Sequence, residues 1–409
     1  MSPSGVRLIV EPAPLDLTSK RIAIVAHVLK YAEADDLLTF VLERGAAQAM
    51  FIGHPLSYVE GRPGPRLRLF SGGALRREVI LKNRRLPGPL QYLRDTVLTL
   101  YWVMKTRRRW DLIVACDNLN ALAAIILRRI GLARRVVYYT IDFVPRRFAN
   151  SRMNDAYHRL DRFCVSHADV TWNVSDRIAE GREQVRGLDR SVYDRQITVP
   201  IGGWFQRLAR TPFSEIEHHS LVYSGGLLPH QGIGLMLGAI PAIAATMSDF
   251  HLHVTGLGPL EQELKDTVRE LGVRDHVTFH GYIESHARLH ELLAGCAAGV
   301  AMYSAELDLW SRFAEPAKIK LYLSAGLPVF TTDVTYIAPQ IALREAGLVL
   351  PFDSAALADA VIELVGDEAR LRRFRANALA FGSEFDWPVI FTRALSDPRL
   401  GLVSTSGPA

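Results

Sequence analysis

The sequence predicts an α/β protein made of two doubly wound units, each a parallel sheet between helices, with both sheets opening onto a shared cleft. Short apolar, β-branched runs alternate with helical patterns twice over, and an aperiodic stretch rich in Pro and Gly separates the two series. The chain of 409 residues is also longer than one ordinary core organises. Its 49% hydrophobic and 22% charged residues are those of a folded globular chain rather than a disordered one.

In the first series RIAIVAHV, AQAMFIGH, DLIVACDN, RVVYYTID and DVTWNVS read as strands, with helical patterns such as ADDLLTFVLERG and NALAAIILRRIG between them. The aperiodic stretch ITVPIGGWFQRLARTPFSE is the connection. In the second series SLVYSGG, HLHVTGLG, HVTFHGYI, GVAMY, LPVFTT and GLVLP alternate with helices such as LEQELKDTVRELG and HARLHELLAGC. This divides the chain into residues 1–202, residues 203–380, and a helix and tail over 381–409 that crosses back to the first unit.

Charge is divided as well. Residues 1–202 hold 32 Lys and Arg against 20 Asp and Glu, or +12, whereas residues 203–409 hold 16 against 23, or −7. This suggests two units with different partners, although an arginine-rich composition also follows from a GC-rich genome. Cys116, Cys164 and Cys296 lie far apart without metal-ligand spacing, which argues against a disulfide framework or zinc site and for a reducing cytoplasm. The start MSPSGVRLIVEPAPLDLTSKR has no continuous apolar segment, so no signal peptide is expected, and no uncharged run reaches the roughly 18 residues of a membrane span.

Gly225 and Gly226 follow the strand LVYS, and GLGP over 256–259 follows HLHVT. Backbone N–H groups at such strand-to-helix turns suit phosphate oxygens, although the glycines equally serve turn geometry. Neither stretch is GxGxxG or GxxxxGK[ST], which disfavours a nicotinamide or P-loop site. Lys318 and Lys320 stand at the head of the apolar helix EPAKIKLYLSAGLPV, residues 315–329. An unpaired lysine is costly to bury, so each should reach solvent or meet an anion.

That stretch, with Pro316, Lys318, Tyr322, Leu323, Ala325, Gly326, Pro328 and Val329, resembles the P-x-K-x-x-x-Y-L-x-A-G-x-P-V donor motif of bacterial glycosyltransferases of GT-B fold. VYSGGLLPHQG, LHVTGLGPLEQEL and VTFHGYIESHARLHELLAGC precede it in the order found in that family. The resemblance implies two Rossmann-like domains, an acceptor-binding first and a donor-binding second. It implies that Lys318 meets the diphosphate of a nucleotide sugar, with a UDP-sugar expected; Lys320, two residues on, points to another face of the helix and is expected in solvent. It further implies that Tyr282 and Ile283 hold the nucleobase and that Tyr303 lies near the sugar. The chain departs from the family's E-x7-E pair, having Leu321 and Phe313 at those positions with Glu315 out of register. Glu315 is the substitute expected at the ribose, unless it serves only as a helix N-terminal charge. His230 and Arg312 are the nearest replacements for the basic pair usual after the first strand of the donor domain.

Transfer requires positive charge at the leaving diphosphate and, for inversion, a base for the acceptor hydroxyl. Lys318 and helix ends would supply the charge without a cofactor or divalent metal. Asp142, ending the strand VVYYTID, is the candidate base; an Asp there equally caps the next segment or pairs with Arg146. His27, Asp35 and Asp36 are further acceptor-side candidates. LQYLRDTVLTLYWVMKTRRRW joins an apolar run, Leu98 to Met104, to Arg107, Arg108 and Arg109, a combination that binds anionic bilayers, although the helix equally packs on its sheet. The expectation is a glycosyltransferase acting on a glycan or lipid-linked acceptor at the inner face of the cytoplasmic membrane, with no nucleic-acid partner. A nucleotide-sugar epimerase of the same fold and a catalytically silent partner subunit are the alternatives.

Overall fold

β1 (Arg21–Val28) leads through α1 (Glu33–Glu43) to β2 (Gln48–Pro55), its parallel neighbour in the computed structural model, which describes residues 15–28, 33–55, 64–82, 86–189, 191, 193–304 and 317–403. The chain then departs from the expected parallel order. β3 (Arg66–Ser71) and β4 (Ala74–Ile80) form an antiparallel hairpin on the sheet edge. ALRREVI is exposed on the edge and RLRLF half-buried beside it, and both carry cations, a pattern unlike the continuous apolar runs of strands buried on both faces.

α2 (Gly88–Lys105), β5 (Trp110–Cys116), α3 (Asn118–Arg129), β6 (Ala133–Thr140), α4 (Ser151–His167), β7 (Val170–Asn173), α5 (Asp176–Arg186) and β8 (Gln196–Thr198) complete this unit. The strand order is β4-β3-β2-β1-β5-β6-β7-β8. β1 therefore lies between β2 and β5, and the order reverses between β1 and β5. In open α/β sheets such a reversal leaves a crevice at the carboxyl ends of the two strands.

The second sheet is parallel throughout. It contains β9 (Glu217–Ser224), α6 (Ile233–Thr246), β10 (His251–Thr255), α7 (Glu261–Glu270), β11 (Val277–Gly281), α8 (His286–Gly295), β12 (Cys296–Ala301), α9 (Ala317–Ser324), β13 (Val329–Thr331), α10 (Ala338–Leu343), β14 (Gly347–Val349) and α11 (Ser354–Val365). Its order, β11-β10-β9-β12-β13-β14, reverses between β9 and β12. α12 (Glu368–Ser383) then leads to α13 (Trp387–Leu395), which lies on α1 of the first unit, with the rings of Phe40 and Phe391 5.5 Å apart.

The connection is pinned where it meets that returning segment. Gly203 N–H donates to Phe385 O at 3.1 Å, and Trp387 N–H donates to Gly203 O at 2.8 Å. A Cβ at Gly202 would stand 2.3 Å from Phe385 O, so a side chain there would force the strands of chain apart. Apolar packing around Phe40, Phe385, Trp387 and Phe391 continues to Leu323 of α9, so one core cluster spans both units.

Candidate functional site

The first switch point brings together residues from four elements. His27 near the end of β1 places Nδ1 2.5 Å from Oδ2 of Asp117, the N-cap of α3. Its Nε2 lies 3.5 Å from Oδ2 of Asp95, which α2 presents from below. Asp95 Oδ1 stands 3.6 Å from Nδ1 of His54 on β2 and accepts from Arg94 at 2.7 Å. His54 Nε2 meets Thr99 Oγ1 at 2.8 Å.

Burial disfavours the His27 cation, but the carboxylates of Asp117 and Asp95 outweigh it and raise its pKa to about 9. His54 goes the other way: burial, reinforced by the His27 charge, pushes it down to about 3. At neutral pH the pair is thus one imidazolium and one neutral ring. The His27 side chain is 8% exposed and that of Asp117 36%, so the aspartate is the member that solvent or a ligand reaches.

Asp117 has φ 82° and ψ 163°, a region almost confined to glycine. Its carboxylate holds that backbone by accepting from Asn120 N–H at 3.0 Å and from Asn120 Nδ2 at 2.8 Å. Sequence reasoning passed over Asp117, reading DLIVACDN only as a strand. The available signal was an aspartate and two asparagines, Asp117, Asn118 and Asn120, closing an apolar strand and opening a helix.

Asp142 is placed differently from its expected role. Its exposed carboxylate accepts two bonds from Arg147 Nη1, each 3.1 Å, rather than pairing with Arg146 or standing beside a histidine. Asp35 is taken by Arg68 of β3. Asp36 accepts from Trp204 Nε1 at 2.8 Å in the connection, and burial raises its pKa against that bond and one from Trp387. Asp35 and Asp36 are thus both engaged by side chains from elsewhere in the fold.

At the second switch point Lys318, from α9, reaches under the β9–α6 turn. Its Nζ donates to Tyr223 Oη at 3.2 Å and to Gln231 Oε1, and lies 4.4 Å from the Tyr223 ring centroid and 5.4 Å from that of Tyr303. No carboxylate pairs with it among the described residues. Burial alone lowers its pKa to about 7. Tyr303, which follows β12, is fixed by donation from its N–H to Thr332 Oγ1 at 3.2 Å. Gly232 (φ 66°) caps α6, whose N-terminus brings partial positive charge to the same turn.

The glycines there act chiefly by close approach. A Cβ on Gly225 would stand 2.9 Å from Lys318 Nζ, and one on Gly256 would stand 1.9 Å from Gly225 O. Gly225 N–H donates to Thr255 O at 3.0 Å, and Gly256 N–H to Gly281 O at 2.8 Å, so these two donors already have acceptors within the protein. The exposed Gly226 offers its carbonyl to Tyr223 Oη at 2.7 Å. His230 lies in the short turn before Gly232. Tyr282 is exposed and Ile283 half-buried just beyond β11, on the edge of the sheet. Arg312 and Glu315 lie outside the described residues.

The solvent expected around Lys320 is absent. Its side chain is buried, Nζ 4.5 Å from the Phe385 ring centroid and 5.8 Å from that of Tyr336, and burial depresses its pKa far below the lysine range. Helical spacing correctly turned Lys320 away from Lys318, but that other face is covered by the segment returning to the first unit.

Arg107, Arg108 and Arg109 are exposed after α2, Arg107 with φ 51°. The apolar face beside them differs from the expected run: Trp102 and Val103 are buried, while Leu90, Leu93, Val97, Tyr101 and Met104 form an exposed stripe at helical spacing. Among the described residues no helix is long and apolar enough to cross a membrane.

Two Rossmann-like domains with their switch points at the carboxyl ends of both sheets constitute the GT-B fold. Residues 218–367 match the family described as Glycosyl transferases group 1. A phosphatidyl-myo-inositol mannosyltransferase of Mycobacterium leprae (strain TN) is 28% identical over 171 residues, 41% of this chain and 42% of that protein. A GDP-mannose-dependent alpha-(1-6)-phosphatidylinositol monomannoside mannosyltransferase of Mycobacterium tuberculosis (strain ATCC 25618 / H37Rv) is 28% identical over 161 residues, 38% of this chain and 40% of that protein. The chain thus spans less than half the length of these relatives. In structure it resembles sucrose-phosphate synthase from Thermosynechococcus elongatus (TM-score 0.66, 15% identity, 94% of this chain and 100% of that one). It also resembles Anabaena HepE in complex with UDP (TM-score 0.61, 14% identity, 93% and 99%).

Proposed function

We propose that this chain is a glycosyltransferase that moves a sugar from a nucleoside diphosphate sugar to a glycan or lipid-linked acceptor. The observation that carries the reading is Lys318, a buried cation without a carboxylate among the described residues, held beside a helix N-terminus at the switch point of the second sheet. A diphosphate supplies the counter-charge such a lysine lacks. The matched family and the mannosyltransferase relatives support the same class of chemistry.

In this reading the donor's diphosphate lies against Lys318 and the α6 N-terminus, and the acceptor lies at the first switch point. The acceptor hydroxyl surrenders its proton to the Asp117 carboxylate, which the His27 imidazolium holds in place, as its oxygen bonds to the anomeric carbon. The bond from that carbon to the diphosphate breaks, and its electron pair passes to the phosphate oxygen beside Lys318. A base at this position suits displacement with inversion. Asp117, oriented by His27, replaces Asp142 in the role because Arg147 already claims the latter carboxylate in two hydrogen bonds. Lys318 and the α6 N-terminus supply the positive charge in this scheme.

Tyr282 and Ile283 are proposed at the nucleobase and Tyr303 at the sugar. A UDP-sugar and GDP-mannose are the first donors to compare, since HepE was solved with UDP and the relative from M. tuberculosis is named for GDP-mannose. The exposed stripe of α2 and Arg107 to Arg109 support a peripheral site on an anionic membrane face, where a lipid-linked acceptor would be met. Incubation with UDP-, GDP- and dTDP-sugars tests the reading: sugar transfer, or slow hydrolysis releasing the nucleoside diphosphate, supports it, and inertness toward all three counts against it.

A further inference from the structure

Away from both switch points, a cavity of about 330 Å³ opens between the edge hairpin and the C-terminal half of α2. That volume is at the small end of ligand-sized cavities. Its walls are apolar: Leu67, Leu69 and Val79 from the hairpin, Leu98 and Trp102 from α2, and Trp110. Trp110 begins β5 whereas Asp117 follows its end, so the cavity lies roughly a strand length, about 20 Å, from the acceptor-side site.

Three cations, Arg77, Lys105 and Arg108, also line it, and no acidic residue does. Lys105 Nζ donates to Tyr101 Oη at 2.9 Å, and none of the three has a carboxylate partner among the described residues. An apolar chamber with uncompensated cations suits a molecule with a hydrocarbon tail and an anionic head. Tyr101 belongs both to this lining and to the exposed stripe of α2, so the chamber adjoins the apolar surface described above.

We infer that this cavity takes one acyl chain of an anionic membrane phospholipid, whose phosphate is held by Arg77, Lys105 and Arg108. Desolvation of the chain drives entry, and the cations select the charged head. The inference rests on the membrane reading of α2 but not on sugar transfer. An inserted chain would fix the hairpin side of the first domain against the bilayer, beyond what surface contact of the stripe achieves.

The test uses the full chain and its own tryptophans, because Trp102 and Trp110 line the cavity. 11-Bromoundecyl phosphate, kept below its micelle concentration, should quench wild type saturably, with 11-bromoundecanol at least ten-fold weaker. Val79→Phe, which fills the chamber from an edge strand, and Arg77→Gln/Arg108→Gln, which removes charge, should each weaken the phosphate probe about ten-fold or more while the circular dichroism spectrum is unchanged. Vesicles of phosphatidylglycerol brominated in the acyl chain should then pellet both wild type and Val79→Phe but quench only wild type strongly. Unsaturable quenching, equal action of alcohol and phosphate, or unaltered quenching in both variants would overturn the inference. Binding of the soluble probe without quenching by the vesicle lipid would overturn the assignment to a bilayer phospholipid. Failure of wild type to pellet would overturn the membrane reading itself and the bilayer occupant with it, whereas loss of quenching alone leaves surface docking intact.

Discussion

His27 Nδ1 and Asp117 Oδ2 meet at 2.5 Å across the point where the first sheet reverses its strand order. Asp117 accepts this contact from a backbone conformation that aspartate rarely adopts, and Asn120 secures it there. A strained residue at the carboxyl end of a strand, tied to a buried histidine, makes a sharper candidate for the proposed acceptor side than any feature of Asp142.

If Asp117 takes the acceptor proton and His27 holds it in position, Asp117→Asn and His27→Gln should each lower kcat by a factor on the order of 10² or more, with donor affinity close to wild type. Asp142→Asn should stay within a few-fold. Steady-state kinetics with a donor that wild type uses, together with the anomeric configuration of the product, checks this. Retention of configuration with unimpaired Asp117→Asn would remove the proton-accepting role.

The same histidine predicts a pH dependence of stability. His27 binds its proton more tightly in the folded chain, at about 9 against an ordinary 6.5. Its contribution is therefore fully present below about pH 6.5 and is lost as the pH rises through about 9. Urea unfolding at intervals from pH 6 to 9.5 should show this decline in wild type and a flatter profile in His27→Gln. Parallel profiles would mean that the Asp117 and Asp95 contacts do not hold the charge.

Lys320→Ala should destabilise the protein by roughly 1–3 kcal/mol, the usual cost of deleting a buried, packed side chain. Lys320 packs against Phe385 and Tyr336, and the loss should appear as a lower denaturation midpoint with an unchanged slope. A midpoint equal to that of wild type would return Lys320 to the surface.

Replacing Arg107, Arg108 and Arg109 by Gln should weaken sedimentation with anionic vesicles, by up to roughly 3 kcal/mol at about 1 kcal/mol per charge. The wild-type interaction should fade with added salt. Equal sedimentation of wild type and variant, or no preference for anionic over neutral vesicles, would make the arginines ordinary surface charge.

The parallel strands were legible because burial on both faces demands apolar, β-branched runs, and LIVAC or LVYS can hardly serve otherwise. The β3–β4 hairpin was not, since an exposed edge strand and its half-buried neighbour tolerate ALRREVI and RLRLF, which local pattern does not separate from loop. Lys318 was legible through the motif around it. The surroundings of Lys320, Asp35 and Asp36 were not: Phe385, Arg68 and Trp204 reach them from far along the chain, and no local periodicity announces such partners. Asp117 fell between these cases, with its identity in view and its backbone strain visible only in three dimensions.

Whether Lys318 seats the diphosphate of the donor is tested most directly by calorimetric titration with UDP, GDP and dTDP. Lys318 has a pKa near 7 in the free protein, lowered by burial, and an adjoining diphosphate should raise it. Binding should therefore take up a proton around pH 7 to 8, read from titrations in buffers of different ionisation enthalpy, and should weaken as the pH rises further. Lys318→Ala should lose roughly 1.5–3 kcal/mol of affinity for whichever diphosphate wild type binds, and should lose the proton uptake with it. Unchanged affinity in a folded Lys318→Ala protein, with the same proton uptake as wild type, would contradict the account.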